Sequence, residues 1–147
     1  MIGAIIGDIA GSRFEWNNYK SKKIKLFHKR CKPTDDSIMS LAIAKAILES
    51  AGDFTDLSAG AVSCMQKLGR IYKNAGYGGN FYRWIFADDP QPYNSFGNGS
   101  AMRVGPCGYA ARSFEERYPS KAVDEDGEGS GTIFDVLDEV ADVRREH

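Results

Sequence analysis

Between positions 32 and 44 the chain runs Lys32-Pro33-Thr34-Asp35-Asp36-Ser37 straight into the apolar segment Ile38-Met39-Ser40-Leu41-Ala42-Ile43-Ala44. A proline, a hydroxyl, two adjacent carboxylates and a second hydroxyl therefore stand just ahead of a strong helix former. Neighbouring residues inside a helix do not share a face. At a helix N-terminus the backbone is not yet helical, so both carboxylates can turn toward one point. The helix dipole also favours Asp there, and spacing alone favours this plain capping role. The alternative is half of a hard-cation site, with Thr34, Asp35 and Asp36 offering three oxygen ligands from consecutive residues.

The surrounding pattern is helical. Ile2, Ile5, Ile6 and Ile9 fall at i, i+3, i+4 and i+7, the period of a helix. Gly3, Gly7 and Gly11 recur every four residues on another stripe, and glycines at that cost to helix stability predict the close approach of another backbone. The dinucleotide fingerprint GxGxxG is absent. Asp8 lies inside this apolar stretch and needs a partner, for which a neighbouring helix N-terminus is the expected source. Glu15, between Phe14 and Trp16, is either a surface residue or a carboxylate held at a pocket mouth.

Residues 38–48 are apolar nearly all round, which predicts a central helix stopped by Gly52. A third helix begins near Thr55 with Leu57, Ala61, Met65, Leu68 and Tyr72 on one face, and Cys64 and Met65 belong to the core. Gly76-Tyr77-Gly78-Gly79-Asn80 breaks it, and Phe81–Phe86 reads as a short aromatic helix closed by Pro90. From Tyr93 to Ser100 small and polar residues lead into another helical pattern. That loop is either an Asn-Gly turn or an anion-binding set of free backbone N–H groups at a helix end. Pro106 is expected to kink the helix that follows. No useful period-two alternation and no βαβ rhythm occur, so the fold class is all-α.

Net charge is −1, which gives no global field for nucleic acid or membrane. Seven of the thirteen residues from Lys20 to Lys32 are nevertheless Lys or Arg, while Asp124 to His147 holds nine acids against two bases. Each run reads first as a solvated surface, and attraction of a phosphate-bearing ligand is the alternative for the basic one. With Phe27 as its one aromatic, that run falls short of a nucleic-acid stacking platform. Cys31, Cys64 and Cys107 are odd in number, widely spaced and without a CxxC pair, as for reduced thiols in a cytosol with neither disulfide nor zinc. Asp8 interrupts the apolar N-terminus and no basic region precedes it, which argues against a signal peptide; no segment approaches a membrane span. The expected location is cytoplasmic.

Four segments together carry a resemblance: Gly7-Asp8-Ile9-Ala10-Gly11-Ser12-Arg13-Phe14-Glu15, Thr34-Asp35-Asp36-Ser37-Ile38-Met39, Gly76-Tyr77-Gly78-Gly79, and Gly97-Asn98-Gly99-Ser100-Ala101-Met102-Arg103-Val104-Gly105-Pro106. In order and separation they resemble the ADP-ribosylglycohydrolase family, hydrolases that remove ADP-ribose from modified proteins or small acceptors. The resemblance covers about residues 1–112. It implies a compact all-α fold and a binuclear magnesium (or manganese) centre. By the same resemblance Thr34, Asp35 and Asp36 are metal ligands, and Glu15 and Asp36 are catalytic. Gly78, Gly79, Ser95, Phe96 and Asn98 match positions that cradle ADP-ribose.

The chain also departs from the family. The later Asp-x-Asp-Thr segment that completes both metal sites is missing, and 147 residues is roughly half the family's usual domain, a length that reads as truncation. The expected organisation is a truncated helical domain over 1–112, followed over 113–147 by a divergent acidic, Gly-rich linker and a short amphipathic helix bearing Ile133, Leu137 and Val140. The binuclear site is then incomplete, and phosphates of a bound nucleotide or a second copy of the chain (a homo-oligomer) would fill it. The expected function is magnesium-assisted cleavage of the ribosyl bond of an ADP-ribosylated protein or small-molecule conjugate. The alternative is an inactive truncated member that binds ADP-ribose, or a non-functional fragment.

Overall fold

The computed structural model describes residues 1–16, 19–93 and 95–111, and among these every regular element is helical. The segment 113–147, expected to be a linker and a short helix, lies outside the described residues. In chain order the helices are α1 (Ile2–Gly11), extended by a 3-10 turn at Ser12–Phe14, then α2 (Asp35–Glu49), α3 (Leu57–Ile71), α4 (Gly79–Phe86), α5 (Gly99–Arg103) and α6 (Gly105–Ala110).

The centre is α2, as its apolar run dictates. Ile38, Met39, Ala42, Ile43 and Ala46 are all buried, and they pack against Leu57, Ala61, Cys64 and Met65 of α3 and Cys107 of α6. Met39 and Met65 are fully enclosed. Burial of that apolar surface is the main favourable term holding the bundle. Two successive residues with positive φ, Ala51 (51°) and Gly52 (93°), then turn the chain out of α2.

A second packing device joins α3 to α4. A Cβ at Gly69 would lie 2.8 Å from Ile85 Cδ1, so only glycine lets the fully buried Ile85 seat against α3. Two α3 side chains also cap the end of α4. Gln66 Nε2 donates to the carbonyls of Trp84 (3.2 Å) and Ala87 (2.9 Å), and Arg70 Nε donates to that of Ile85 (2.9 Å). Carbonyls that would otherwise be orphans at a helix C-terminus are thus satisfied.

Two expectations are corrected. Beside Gly3, Gly7 and Gly11 no atom comes within 4 Å of where a Cβ would stand, so the glycine stripe marks no close backbone among the described residues. Ile2 and Ile6 are exposed and Ala10 is the one buried residue of α1, because this helix is tied to α2 through a polar side chain and not through its apolar stripe. Nor does Pro106 kink a continuous helix. The chain breaks ahead of it at Val104, and Pro106 sits in the first turn of α6, where its missing N–H has no helical acceptor to lose.

Candidate active site

The site is built on the start of α2. Thr34 is its N-cap in extended conformation (φ −108°, ψ −173°), yet the Thr34 side chain makes no capping bond of its own. Asp8 of α1 supplies the acceptor instead. Its Oδ2 accepts the Thr34 backbone N–H at 2.9 Å, its Oδ1 accepts the Thr34 hydroxyl at 2.5 Å, and Oδ2 also accepts the Ser37 hydroxyl. The partner required by a carboxylate in an apolar segment is therefore a helix N-terminus across the fold, with orphan N–H and both hydroxyls satisfied together.

Asp35 and Asp36 occupy the first turn of α2, where the dipole favours negative charge. The Asp35 backbone N–H donates to Ala75 O at 3.0 Å, which docks the loop ahead of α4 against the helix start. Burial raises the Asp35 carboxyl above its ordinary range, with further increments from the charges of Asp36, Glu15 and Asp8, against a hydrogen bond from its own backbone N–H. Asp36 is more exposed, and is raised first by partial desolvation and then by Asp8. The negative charges of Asp36, Glu15 and Asp8 thus bear on Asp35, and a cation beside it would relieve that repulsion. Beside them Tyr77 Oη is buried without a hydrogen-bond partner among the described residues. Burial first and the Asp35 charge second push that phenol up to about 12.

From this point a groove of about 570 Å³ opens. Asp35 stands on its wall with Gly78 and Gly79 from the start of α4, and Ser95, Phe96 and Asn98 from the loop before α5. Two glycine-bearing segments on either side of α4 thus face one space, together with one carboxylate of the α2 pair. Phe96 is fully exposed, so its ring has no partner in the fold to displace before a planar group could stack on it. Thr34, Asp36 and Glu15 do not line the groove. Thr34 is buried beneath α2, while Asp36 and Glu15 are exposed, Glu15 within electrostatic reach of Asp35.

The groove also holds residues to which pattern reading gave no role. Phe81 and Trp84 stack at 5.3 Å between centroids, and the guanidinium of Arg103 lies 5.5 Å from the Phe81 ring centroid. Arg103 is buried, and desolvation lowers its affinity for the proton from a very high ordinary value. A cation over an aromatic wall thus lines the same groove as the Asp35 carboxylate. The available signal was a lone arginine closing a glycine-rich helical start, which resembles any surface arginine until the fold buries it.

Thr34, Asp35 and Asp36 offer only oxygen donors, the set that suits magnesium or manganese and not zinc. Among the described residues no three or more His, Cys, Asp or Glu side chains gather as a metal cage, so the donor set fits in kind and is partial in number. No described helix is long and apolar enough to cross a membrane.

A family model described as ADP-ribosylglycohydrolase matches residues 1–127 of the 147, running past the limit near residue 112 set by the motifs. No curated protein and no solved structure matches the chain.

Proposed function

The chain belongs to the ADP-ribosylglycohydrolase family, a family of hydrolases, and from that premise we propose that it removes ADP-ribose from modified proteins or small acceptors by magnesium-assisted cleavage of the ribosyl bond. The observation that carries this reading is the convergence of Gly78, Gly79, Ser95, Phe96 and Asn98 on one groove with Asp35. Its volume is in the range of small-ligand sites. In this reading the backbone at Gly78 and Gly79 approaches the diphosphate closely because no Cβ intervenes. Ser95 and Asn98 hydrogen-bond the polar edges of the ligand, and Phe96 stacks on its planar part.

Thr34, Asp35 and Asp36 would hold magnesium or manganese, with the remaining coordination positions filled by water or by ligand oxygens. Divalent ions bound there supply Lewis-acid polarisation of ribose oxygens and an activated water. In this reading Glu15, exposed and within electrostatic reach of Asp35, would take or return a proton, and Asp36 would orient the attacking group. A second copy of the chain, or the ligand's own phosphates, is the proposed source of further cation ligands.

The test is release of free ADP-ribose from an ADP-ribosylated protein, with Mg²⁺ and with EDTA. Release that requires the metal is the expected result. Folded protein that binds ADP-ribose without releasing it would replace the hydrolase reading by a binding one, and neither binding nor release would overturn both.

A further inference from the structure

Asp8 holds three donors at once, and two of them are hydroxyls whose direction is otherwise free. A hydroxyl has one proton and two acceptor lone pairs, while an ionised carboxylate only accepts. Thr34 must therefore spend its proton on Asp8 Oδ1, and Ser37 must spend its proton on Asp8 Oδ2. The Thr34 N–H on Oδ2 fixes the carboxylate in place, since a backbone donor cannot reverse. Thr34 and Ser37 are both buried, so bulk water does not compete for these protons.

We infer that Asp8 is the positioning residue of the cation site: by taking the Thr34 proton, it leaves only lone pairs on the remaining directions of that oxygen. The inference rests on the metal role proposed above for Thr34, Asp35 and Asp36. A cation needs an acceptor at Thr34 and is repelled by an O–H pointing toward it. Partners that orient a ligand in this way commonly matter nearly as much as the ligand itself. Asp8 needs no contact with the cation to do this. It sets the polarity of an atom one bond network away, across 26 residues of sequence.

Asp8→Asn tests the polarity itself. The Thr34 N–H and the Ser37 hydroxyl can still be accepted by the amide oxygen, which places the NH₂ at the former Oδ1 position. There it donates to Thr34 Oγ1, consumes a lone pair and turns the Thr34 proton outward. The readout is binding of Mn²⁺ alone to the full chain, followed by the electron paramagnetic resonance of the free ion. The expected loss in Asp8→Asn is about 10- to 100-fold. In a Thr34→Val background the same change should add no further loss, because the oxygen it acts through has gone.

Binding in Asp8→Asn equal to the parent would overturn the inference. So would losses that multiply in the double variant, since these would mean that Asp8 acts through its charge alone. Ser37→Ala leaves the Thr34–Asp8 bonds in place and keeps the inference exposed should Asp8→Asn fail to fold. It should bind Mn²⁺ like the parent, and a large loss there would again overturn the assignment. A parent protein that takes up no Mn²⁺ at millimolar concentration would instead overturn the metal reading on which the inference stands, an outcome distinct from the others.

Discussion

Gly76 stands beside Asp35: its backbone adopts φ +109°, and a Cβ added there would lie 3.6 Å from Asp35 Oδ1. The contact distance is ordinary, whereas the backbone angle is one that residues with a side chain rarely adopt. Gly76→Ala is therefore expected to cost about 1–3 kcal/mol of stability through backbone strain. Thermal unfolding measures it, and an unchanged Tm would mean that the loop relaxes without loss. Because the same loop takes the Asp35 N–H at Ala75 O, the variant should also weaken Mn²⁺ binding.

The Asp35 charge is itself a liability to folding. Its carboxyl is raised by burial and by Asp36, Glu15 and Asp8, so the folded chain holds that proton more tightly than the unfolded chain does. The contribution to stability is most favourable below the ordinary carboxylate pKa and is lost as pH rises through the raised value. Without divalent ions at pH 7, Asp35→Asn should raise Tm by a few degrees. With millimolar Mg²⁺ the order should reverse, because only the parent gains from binding. A Tm for Asp35→Asn below the parent's in EDTA would sink this account.

Gly69→Ala tests the seat of α4. The added methyl would meet Ile85 at 2.8–3.0 Å on three of its carbons, and Ile85 is fully buried. Overpacking of this kind costs about 1–3 kcal/mol. Helix propensity returns up to about 1 kcal/mol on exchanging Gly for Ala. A net loss is expected, with partial recovery in Gly69→Ala/Ile85→Val by urea unfolding. Additive losses in the pair would show that the two positions do not share the clash.

The thiols should separate by burial. Burial pushes Cys107 up to about 11, and it also raises Cys64, with a further contribution from Glu49, whose Oε2 lies 3.4 Å from the sulfur. Cys31 is only half-buried. In native protein at pH 8 a disulfide reagent should therefore modify Cys31 ahead of the other two, with all three modified after denaturation. Stability should fall as pH rises from about 9, where an unfolded thiol ionises, toward 11, where Cys107 does. Rapid native labelling of Cys107 would contradict this packing.

The helical class and the order of α2, α3 and α4 were legible because a long amphipathic or apolar period is a strong local signal, and Gly52 and the Gly76–Gly79 loop punctuate it. The need of Asp8 for a helix N-terminus was legible too, since a carboxylate in an apolar segment must find donors. Which hydroxyls it would bind was not, because Ser37 and Thr34 are equally plausible as local caps. The glycine stripe of α1 misled for a physical reason: spacing shows where a backbone could approach and not whether one does. The groove's aromatic wall and Arg103 were not legible because their meaning comes only from the fold bringing the Arg103 guanidinium to 5.5 Å from the Phe81 ring centroid.

The bond from Asp35 N–H to Ala75 O makes the first amide of α2 a timekeeper for the neighbouring loop. That proton is freed for exchange when the loop lifts, so its protection reports how large a share of the molecules has the loop open. A ligand gripping Gly78 and Gly79 would slow the exchange of an amide it never touches. One labelled proton at the head of a buried helix thus reports, on the scale of seconds to hours, how much of the time the loop ahead of the groove stands away from it.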